Sequence, residues 1–400
     1  MTQNIEADIV VVGAGLVGLS TAIVFAQQGR NVCLVDAKKP AIKLKKPWDE
    51  RVYALTAVTE HWLKSIGVWA HVDASRVNPI NAMHIFDDAG ERPLVLRDED
   101  ANLSKLGLII ESQNLMHALW QQLNVLDANN AAVTVITDTP SQSLVNTQQK
   151  TVLSLANGQQ IAAKLLVAAD GVDSWVRKQA NISVTKKDFK QTAIVATFKV
   201  EKYHQNVARQ WFSPHDVLAL LPLPGKLVSM VWSVSTERAV ELLALSGEEL
   251  AHHVYIRHVY AQSQAVLGGL TQVGKTQSFS LNQQTASQFI AGRLVIVGDA
   301  AHQIHPMAGQ GVNLGFRDVM ELASRATNLH AMQDVGDIMF LRQYERARKA
   351  DIMMMNSLTS GLDGLYANES SMLKKARQWG LQQLNNQAVI KKLLIQQVAA

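Results

Sequence analysis

The chain has 400 residues, of which 48% are hydrophobic and 18% charged, and its net charge is +4. This composition excludes a disordered or fibrous protein, and the length predicts two domains or one elaborated domain. The single cysteine, Cys33, excludes a disulfide framework and predicts a buried thiol. No apolar run reaches the length of a membrane span, and the first predicted strand leaves no room for a signal or transit peptide. We expect a cytoplasmic protein in a reducing compartment.

A nucleotide-binding fingerprint follows the first predicted strand, residues 8–12. It consists of Gly13, Ala14, Gly15, Leu16, Val17 and Gly18. In such a motif the first glycine permits a tight turn, the second lets the backbone approach a pyrophosphate, and the third lets the helix pack closely on the strand. A predicted helix over 19–28 and a strand over 31–35 lead to Asp36, which is placed to bind ribose hydroxyls.

Several polar positions in the next part of the chain are candidate cofactor contacts. Arg51 lies beyond the second strand and could reach a pyrophosphate or flavin, with a surface arginine as the alternative. Gln113 lies at the start of a predicted helix, where it either faces a cofactor or is an ordinary first-turn residue. A strand over 164–169 ends at Asp170, where an Asp-Gly turn marks the nucleotide crevice, and a helix then reaches Arg177.

From 191 to about 280 the pattern changes to β-type runs separated by turn signals. This predicts an antiparallel sheet that could roof a pocket over the cofactor. Trp211, Leu220 and Trp232 are the candidate pocket residues, with ordinary core packing as the alternative for each.

A second cofactor segment follows that sheet. An apolar strand over 294–297 delivers Gly298 and Asp299, and a loop containing Pro306 and Gly309 leads to a helix near Gly311. The carboxylate can accept hydrogen bonds from a hydroxylated chain, and a helix start can stabilise negative charge. FAD has both a ribityl chain and a ring that becomes anionic on reduction, so this segment favours FAD over NAD.

The rest of the chain, from 316 to its end, is predicted to be helical and is basic. Residues 342–400 contain nine Lys or Arg against four Asp or Glu, a net of +5, which leaves about −1 for the remainder. A basic segment suits an anionic surface, although a solvated helix face is the alternative for any single basic pair. No zinc, hydrolase-elbow or nucleic-acid motif is recognisable, so neither a metal nor a nucleic acid is predicted.

Three segments, taken in order, resemble the para-hydroxybenzoate-hydroxylase-like flavoprotein monooxygenases. They are residues 13–18, 169–177 and 298–315. Residues 194–197, 317–318 and 342–348 are similar to the branch that hydroxylates the aromatic ring in ubiquinone biosynthesis, and its polyprenylphenol hydroxylases look most similar.

The resemblance implies an α/β fold: a Rossmann-like FAD-binding domain of the glutathione-reductase type, an inserted, mainly antiparallel β-sheet substrate domain and a helical C-terminus. The implied boundaries are 1–75, 104–182 and 281–330 for the FAD-binding domain, 76–103 and 183–280 for the substrate domain, and 331–400 for the helical region.

The resemblance also implies the reaction. NAD(P)H would reduce non-covalently bound FAD, and a flavin C4a-hydroperoxide formed with O₂ would transfer oxygen to a polyprenylphenol. The residues implied to hold the cofactor are Gly13, Gly15, Gly18, Asp36, Arg51, Gln113, Asp170, Gly298, Asp299, Gly309, Gly311, Val312 and Asn313. Asp170 and Arg177 would also serve NAD(P)H, Pro306 would lie beside the oxygen-transfer site, and His305 is the candidate for proton handling.

A polyprenyl substrate implies contact with a membrane or with other ubiquinone-biosynthesis proteins, and the basic C-terminal region is the candidate contact with the inner face of a bacterial plasma membrane. Three alternatives stay open at this point. They are a FAD-dependent hydroxylase, epoxidase or dehydrogenase with another substrate, a non-catalytic flavoprotein scaffold, and a plain NAD-dependent dehydrogenase.

Overall fold

A computed structural model describes most of the chain. The described residues are 4–39, 44, 48–87, 93–128, 132–214, 216–260, 266–304, 311–329, 334–367, 379–380, 383–385 and 387–399. The strands are β1 (Asn4–Val12), β2 (Val32–Val35), β3 (Val52–Leu55), β4 (Val77–Ile80), β5 (Ala82–Asp87), β6 (Leu94–Arg97), β7 (Gly107–Glu111), β8 (Val133–Ile136), β9 (Ser141–Asn146), β10 (Thr151–Leu155), β11 (Gln160–Ala168), β12 (Val184–Val200), β13 (Val207–Ser213), β14 (Asp216–Leu223), β15 (Leu227–Ser235), β16 (Leu270–Ala286), β17 (Ile290–Ala291), β18 (Leu294–Ile296) and β19 (His302–Gln303). The α-helices are α1 (Leu16–Gln27), α2 (Ala57–Ser65), α3 (Ser112–Ala128), α4 (Trp175–Gln179), α5 (Thr236–Leu243), α6 (Gly247–Tyr260), α7 (Gly311–Thr327), α8 (Ile338–Ala367) and α9 (Ala388–Ala399).

The first sheet is a doubly wound, mainly parallel sheet. Its strand order is β17-β18-β11-β1-β2-β8, and the pairs from β18 to β8 are all parallel. Val10 and Leu166 are fully buried, as expected for parallel strands covered on both faces. Helix α1 packs against α3 and α7 above this sheet, and their apolar side chains form the largest core.

The second sheet has the order β19-β16-β12-β15-β14-β13-β5-β6. All of its pairs are antiparallel except β13 with β5. Helices α5 and α6 pack on one face of it and share a core with it. A three-stranded sheet, β3-β7-β4, lies against β14 of the second sheet and contacts helices α3 and α7. The predicted α/β fold class, with a mainly antiparallel second sheet and C-terminal helices, is confirmed; the domain boundaries stay a prediction.

Some elements differ from the sequence-based expectation. Helix α1 begins at Leu16 rather than 19, so Gly18 lies inside its first turn. Helices α5 and α6 lie within the span that was predicted to be sheet, because runs of β-type residues on either side of them dominate the local pattern. Within the described part of the chain, no helix is long and apolar enough to cross a membrane.

Candidate active site

The carboxyl ends of four neighbouring parallel strands meet at one edge of the first sheet. Gly13 N–H donates to the carbonyl of Val35 over 2.8 Å, which joins the ends of β1 and β2. On the other side, Ala169 N–H donates to Val12 over 2.8 Å, and Val297 N–H donates to Ala168 over 2.9 Å. The predicted segments that begin at residues 13, 36, 170 and 298 are therefore brought together at the position where doubly wound sheets bind ligands.

Two different physical reasons account for glycine at the fingerprint positions. Gly13 has φ +106°, and a Cβ on Gly18 would lie 1.8 Å from the carbonyl oxygen of Gly13, so the turn and the close helix–strand contact require glycine at both positions. A Cβ on Gly15 would meet nothing within 4 Å of the protein. The protein itself therefore does not require glycine at position 15, whereas a pyrophosphate approaching the start of α1 would.

Asp36 is joined directly to the fingerprint turn. Its Oδ2 accepts the N–H of Ala14 over 2.6 Å, and its Oδ1 accepts the N–H of Lys38 over 2.8 Å. Ala14 and Leu16 are buried beneath the turn, whereas Asp36 stays partly exposed. The carboxylate therefore fixes the loop and still has lone pairs for hydroxyl groups of a ligand.

Val17 brings the two cofactor segments into contact. A Cβ on Gly298 would lie 3.1 Å from Cγ2 of Val17, and a Cβ on Gly315 would lie 2.7 Å from the same atom. The first turn of α1 thus packs directly on the turn that carries Asp299 and on helix α7.

Asp299 lies in the turn after β18 with an exposed side chain. Crowding by surrounding protein atoms raises the pKa of its carboxyl even though solvent reaches the residue, and the charges of His302 and Arg51 oppose that rise. The exposed carboxylate is open to the crevice and available to a ligand. Arg51 is also exposed, and its guanidinium lies 5.5 Å from the ring centroid of Tyr53.

Tyr53 was not singled out from the sequence, although its position two residues after Arg51 on β3 was an available signal. Burial raises the pKa of its phenol, and the Arg51 charge opposes this. Ser112 Oγ lies 3.5 Å from the phenol oxygen. A protonated phenol therefore lies close to both Arg51 and Asp299.

Asp49 holds two predicted cofactor residues in place. Its Oδ1 accepts the N–H of Arg51 over 3.1 Å, and its Oδ2 accepts the N–H of Gln113 over 3.0 Å at the start of α3. The N–H of Asp49 donates to Oε1 of Glu111 over 2.5 Å. Glu111 is completely buried, and its carboxylate accepts hydrogen bonds from Arg76 Nε and Nη2 over 2.5 and 2.6 Å. This Glu111–Arg76 pair had no local sequence signal.

Asp170 and Arg177 are built into the turn that follows β11. Asp170 Oδ2 accepts the N–H of Val176, while its buried Oδ1 meets no donor in bonding geometry among the described residues. Burial raises the pKa of this carboxyl. The buried guanidinium of Arg177 donates from Nη1 to the carbonyl of Ala300 and from Nη2 to that of Val172, each over 2.8 Å. Arg177 therefore connects the Asp170 turn to the Asp299 turn.

Helix α7 starts at Gly311, which is exposed, followed by partly exposed Val312 and fully buried Asn313. Asn313 Nδ2 donates to the carbonyl of Ala54 over 2.8 Å, and its Oδ1 accepts the N–H of Thr56 over 3.2 Å. Asn313 therefore fixes the start of α7 against the end of β3. The predicted residues His305, Pro306 and Gly309 lie outside the described residues.

A buried ion network supports the turn that carries Asp299. Asp318 Oδ2 accepts from Gly298 N–H over 2.8 Å and from His302 Nε2 over 2.6 Å, and its Oδ1 accepts from Arg348 Nε over 2.7 Å. Burial alone would raise the pKa of the Asp318 carboxyl, but the charges and hydrogen bonds of His302 and Arg348 hold it below its usual value. The turn is thereby connected to α7 and α8.

The three candidate pocket residues lie on neighbouring strands of the second sheet. Trp211, Leu220 and Trp232 are buried in the core between the second sheet and α5 and α6. Trp211 stacks on Phe86 with centroids 5.2 Å apart, and Trp232 Nε1 donates to Asp216 over 2.6 Å. This packing favours the core alternative for all three residues, because α5 and α6, which the sequence pattern did not indicate, cover this face; their role in a substrate pocket stays a prediction.

The donor set at the sheet edge fits FAD. An open backbone lies at Gly15 for a pyrophosphate, a partly exposed carboxylate at Asp36 for a ribose, and an exposed carboxylate at Asp299 for a hydroxylated chain. Among the described residues, no group of three or more His, Cys, Asp or Glu side chains is arranged to hold a metal ion. The fold and the site together define a flavoprotein of the doubly wound type.

Comparisons with known proteins identify the family. The profile of the FAD binding domain family matches residues 6–357. The ubiquinone hydroxylase UbiL of Rhodospirillum rubrum is 32% identical over 97% of this chain and 88% of its own length. The 3-demethoxyubiquinol 3-hydroxylase of Escherichia coli is 32% identical over 94% of this chain and 93% of its own length. The p-nitrophenol 4-monooxygenase PnpA of Pseudomonas putida shares the fold, with a TM-score of 0.77 at 16% identity over 99% of this chain and 98% of its own.

The chain therefore belongs to the FAD-dependent monooxygenases of the FAD binding domain family. The family resemblance seen in the sequence and the predicted class of enzyme, an FAD-dependent monooxygenase, are confirmed, and a plain NAD-dependent dehydrogenase is excluded.

Proposed function

We propose that the protein hydroxylates the aromatic ring of a polyprenylphenol intermediate in ubiquinone biosynthesis, with NAD(P)H as electron donor and O₂ as co-substrate. The observation that carries the proposal is the meeting of the Gly13, Asp170 and Asp299 turns at one sheet edge, in a chain whose relatives are named for ubiquinone hydroxylation. Of the two relatives described above, the Escherichia coli protein alone has a name that specifies a ring carbon.

The described residues have distinct proposed tasks. The first-turn N–H groups of α1 and the open backbone at Gly15 bind the pyrophosphate, and Asp36 binds the adenosine ribose. Asp299 accepts hydrogen bonds from the ribityl chain, with the Arg51 charge near it. Gln113, which Asp49 holds together with Arg51, contacts the cofactor. When bound, FAD supplies the electron transfer and oxygen activation that side chains lack.

The helix α7 start is proposed to face the flavin ring. Gly311 and Val312 begin a 17-residue helix whose described first turn contains no acidic residue, and the positive end of its dipole favours negative charge. Asn313 keeps this helix start against β3. His305 for proton handling and Pro306 beside the oxygen-transfer site stay predictions.

A gene deletion combined with quinone lipid analysis tests the function. Loss of ubiquinone and accumulation of a prenylated phenol lacking one hydroxyl group would support the proposal, and the structure of the intermediate would identify the carbon. An unchanged quinone profile, in a strain without a redundant hydroxylase, would refute it.

Complementation adds a matched control. Asp299→Asn should restore little ubiquinone, because the amide has one neutral acceptor oxygen where the carboxylate has two charged ones. Asp127→Asn, the same change at an exposed residue at the end of α3, should restore ubiquinone fully. Equal rescue by both variants would show that Asp299 does not bind the cofactor.

A further inference from the structure

Helix α9 is apolar on two sides, and one of them is covered by the protein. Ile395 is buried in a cluster with Leu94 and Leu96 of β6. Lys391 Nζ lies 2.7 Å from Oδ2 of Asp100, in the turn that follows β6. These contacts fix which side of the helix faces inward.

The opposite side of α9 presents apolar side chains to solvent. Val389 is 72% exposed, Leu393 60% and Ile390 46%. Residues 389 and 393 are one turn apart and neighbours on the same face, with Ile390 beside them. Lys392 and Gln396 are exposed next to this group. A helix at a water-exposed surface normally has polar residues outward, so this outward apolar face is suited to an apolar partner.

The positive charge of the C-terminal segment that contains α9 indicates an anionic partner. Residues 370–400 contain five Lys or Arg and no Asp or Glu, whereas the whole chain carries a net charge of only +4. An apolar face flanked by lysine, in a segment without acidic residues, is complementary to a bilayer surface that has acyl chains beneath anionic headgroups.

We infer that Val389, Ile390 and Leu393 form a docking surface for an anionic lipid bilayer, with Lys392 contacting the headgroups. This inference rests on the proposed function, because a polyprenylphenol is dissolved in the bilayer. Since the inner side of α9 packs on β6 of the second sheet, the docked protein would have its substrate-domain sheet next to the membrane.

The test measures co-sedimentation of the FAD-loaded protein with vesicles of phosphatidylcholine alone or mixed with phosphatidylglycerol. The wild-type protein should bind the anionic vesicles, and less so at high salt. Val389→Glu combined with Leu393→Glu should weaken binding more than tenfold, because it removes apolar contact and adds repulsion. Lys392→Gln should weaken it about fivefold.

Helix α5 offers a matched control. Val240 and Leu243 are 67% and 40% exposed on a different surface, so Val240→Glu with Leu243→Glu makes the same chemical change there. This variant should keep most of the wild-type affinity for vesicles. The only loss expected is the small effect of its two added negative charges. Equal loss in both double variants would overturn the α9 assignment, since net charge alone would then explain the effect.

Other outcomes would also overturn the inference. They are no binding of the wild-type protein to either vesicle type, or concentration-dependent self-association that only the α9 variant loses, which would indicate a second copy as the partner. The vesicles contain no substrate, and FAD content is measured for every variant. A failure of docking is therefore distinguishable from a failure of the hydroxylation proposal, which the quinone profile tests separately.

Discussion

Arg348 and Asp318 form a buried ion pair, 2.7 Å from Nε to Oδ1, that connects α8 with the carboxylate supporting the Asp299 turn. The other oxygen of Asp318 accepts the N–H of Gly298 and bonds His302. A residue that lies 30 positions after Asp318 and outside the nucleotide motifs therefore helps to hold the cofactor segment in place.

Replacing this arginine should destabilise the protein and weaken FAD binding together. Arg348→Met leaves Asp318 buried with one cation fewer, which typically costs about 3–5 kcal/mol. Urea unfolding and FAD fluorescence titration measure the two effects. Arg342→Met, an exposed arginine on the same helix, is the control and should change neither. If the two variants behave alike, the ion pair has no role in the site.

Two glycines of the fingerprint should respond differently to alanine. Gly15→Ala should leave the fold intact, since its Cβ meets no protein atom, but should weaken FAD binding at least tenfold, by crowding the pyrophosphate. Gly18→Ala should reduce folding itself, because its Cβ would overlap the Gly13 carbonyl. Soluble yield and unfolding midpoints, compared with FAD dissociation constants, separate the effects. Normal FAD affinity in Gly15→Ala would place the pyrophosphate elsewhere.

His84 should make the protein less stable in mild acid. Burial, followed by the charges of Arg209 and Arg97, lowers the pKa of its imidazole to about 4, below the usual value near 6.5. The contribution of the neutral imidazole to the free energy of unfolding is fully present above about pH 6.5. It is lost as the pH falls towards about 4, because the unfolded chain then binds a proton that the folded chain does not.

His84→Gln should therefore flatten the fall of unfolding free energy between pH 6.5 and 5, by about 1–2 kcal/mol. Denaturant unfolding at several pH values measures this slope. His61→Gln removes an exposed imidazole instead and serves as the control. A wild-type slope in His84→Gln would contradict the assignment.

Cys33 should be unreactive in the folded protein. The residue is fully buried in β2, and burial raises the pKa of its thiol to about 12. A disulfide reagent at pH 8 should release no thiolate signal from the native protein and one equivalent after unfolding in urea. Rapid native reaction would mean that β2 opens readily.

The cofactor crevice was largely predictable from sequence, because each of its parts is a local pattern. A strand that ends in glycine or an acid encodes its own turn, and parallel strands bring Gly13, Asp36, Asp170 and Asp299 to one edge. The Glu111–Arg76 pair was not predictable, since its partners are 35 residues apart and neither position has a distinctive neighbour.

The candidate pocket residues show what a strand pattern leaves undetermined. Alternation along β13 to β15 correctly indicates that Trp211, Leu220 and Trp232 share a face, since all three belong to one core. Alternation does not say which face the helices cover. That depends on where α5 and α6 pack, and the pattern of the strands does not encode it.

The order of strands in the first sheet sets a limit on biosynthesis. Strand β1 is flanked by β2 and by β11, beyond which lies β18, and the Asp299 turn is completed only by Arg348. A growing polypeptide must therefore leave one edge of β1 unpaired until β11, at residues 160–168, has left the ribosome, and must leave the Asp299 turn incomplete until Arg348 has followed. Such distant pairing slows folding and favours aggregation. We accordingly expect the nascent protein to depend on chaperones and to acquire its flavin only after synthesis is nearly finished.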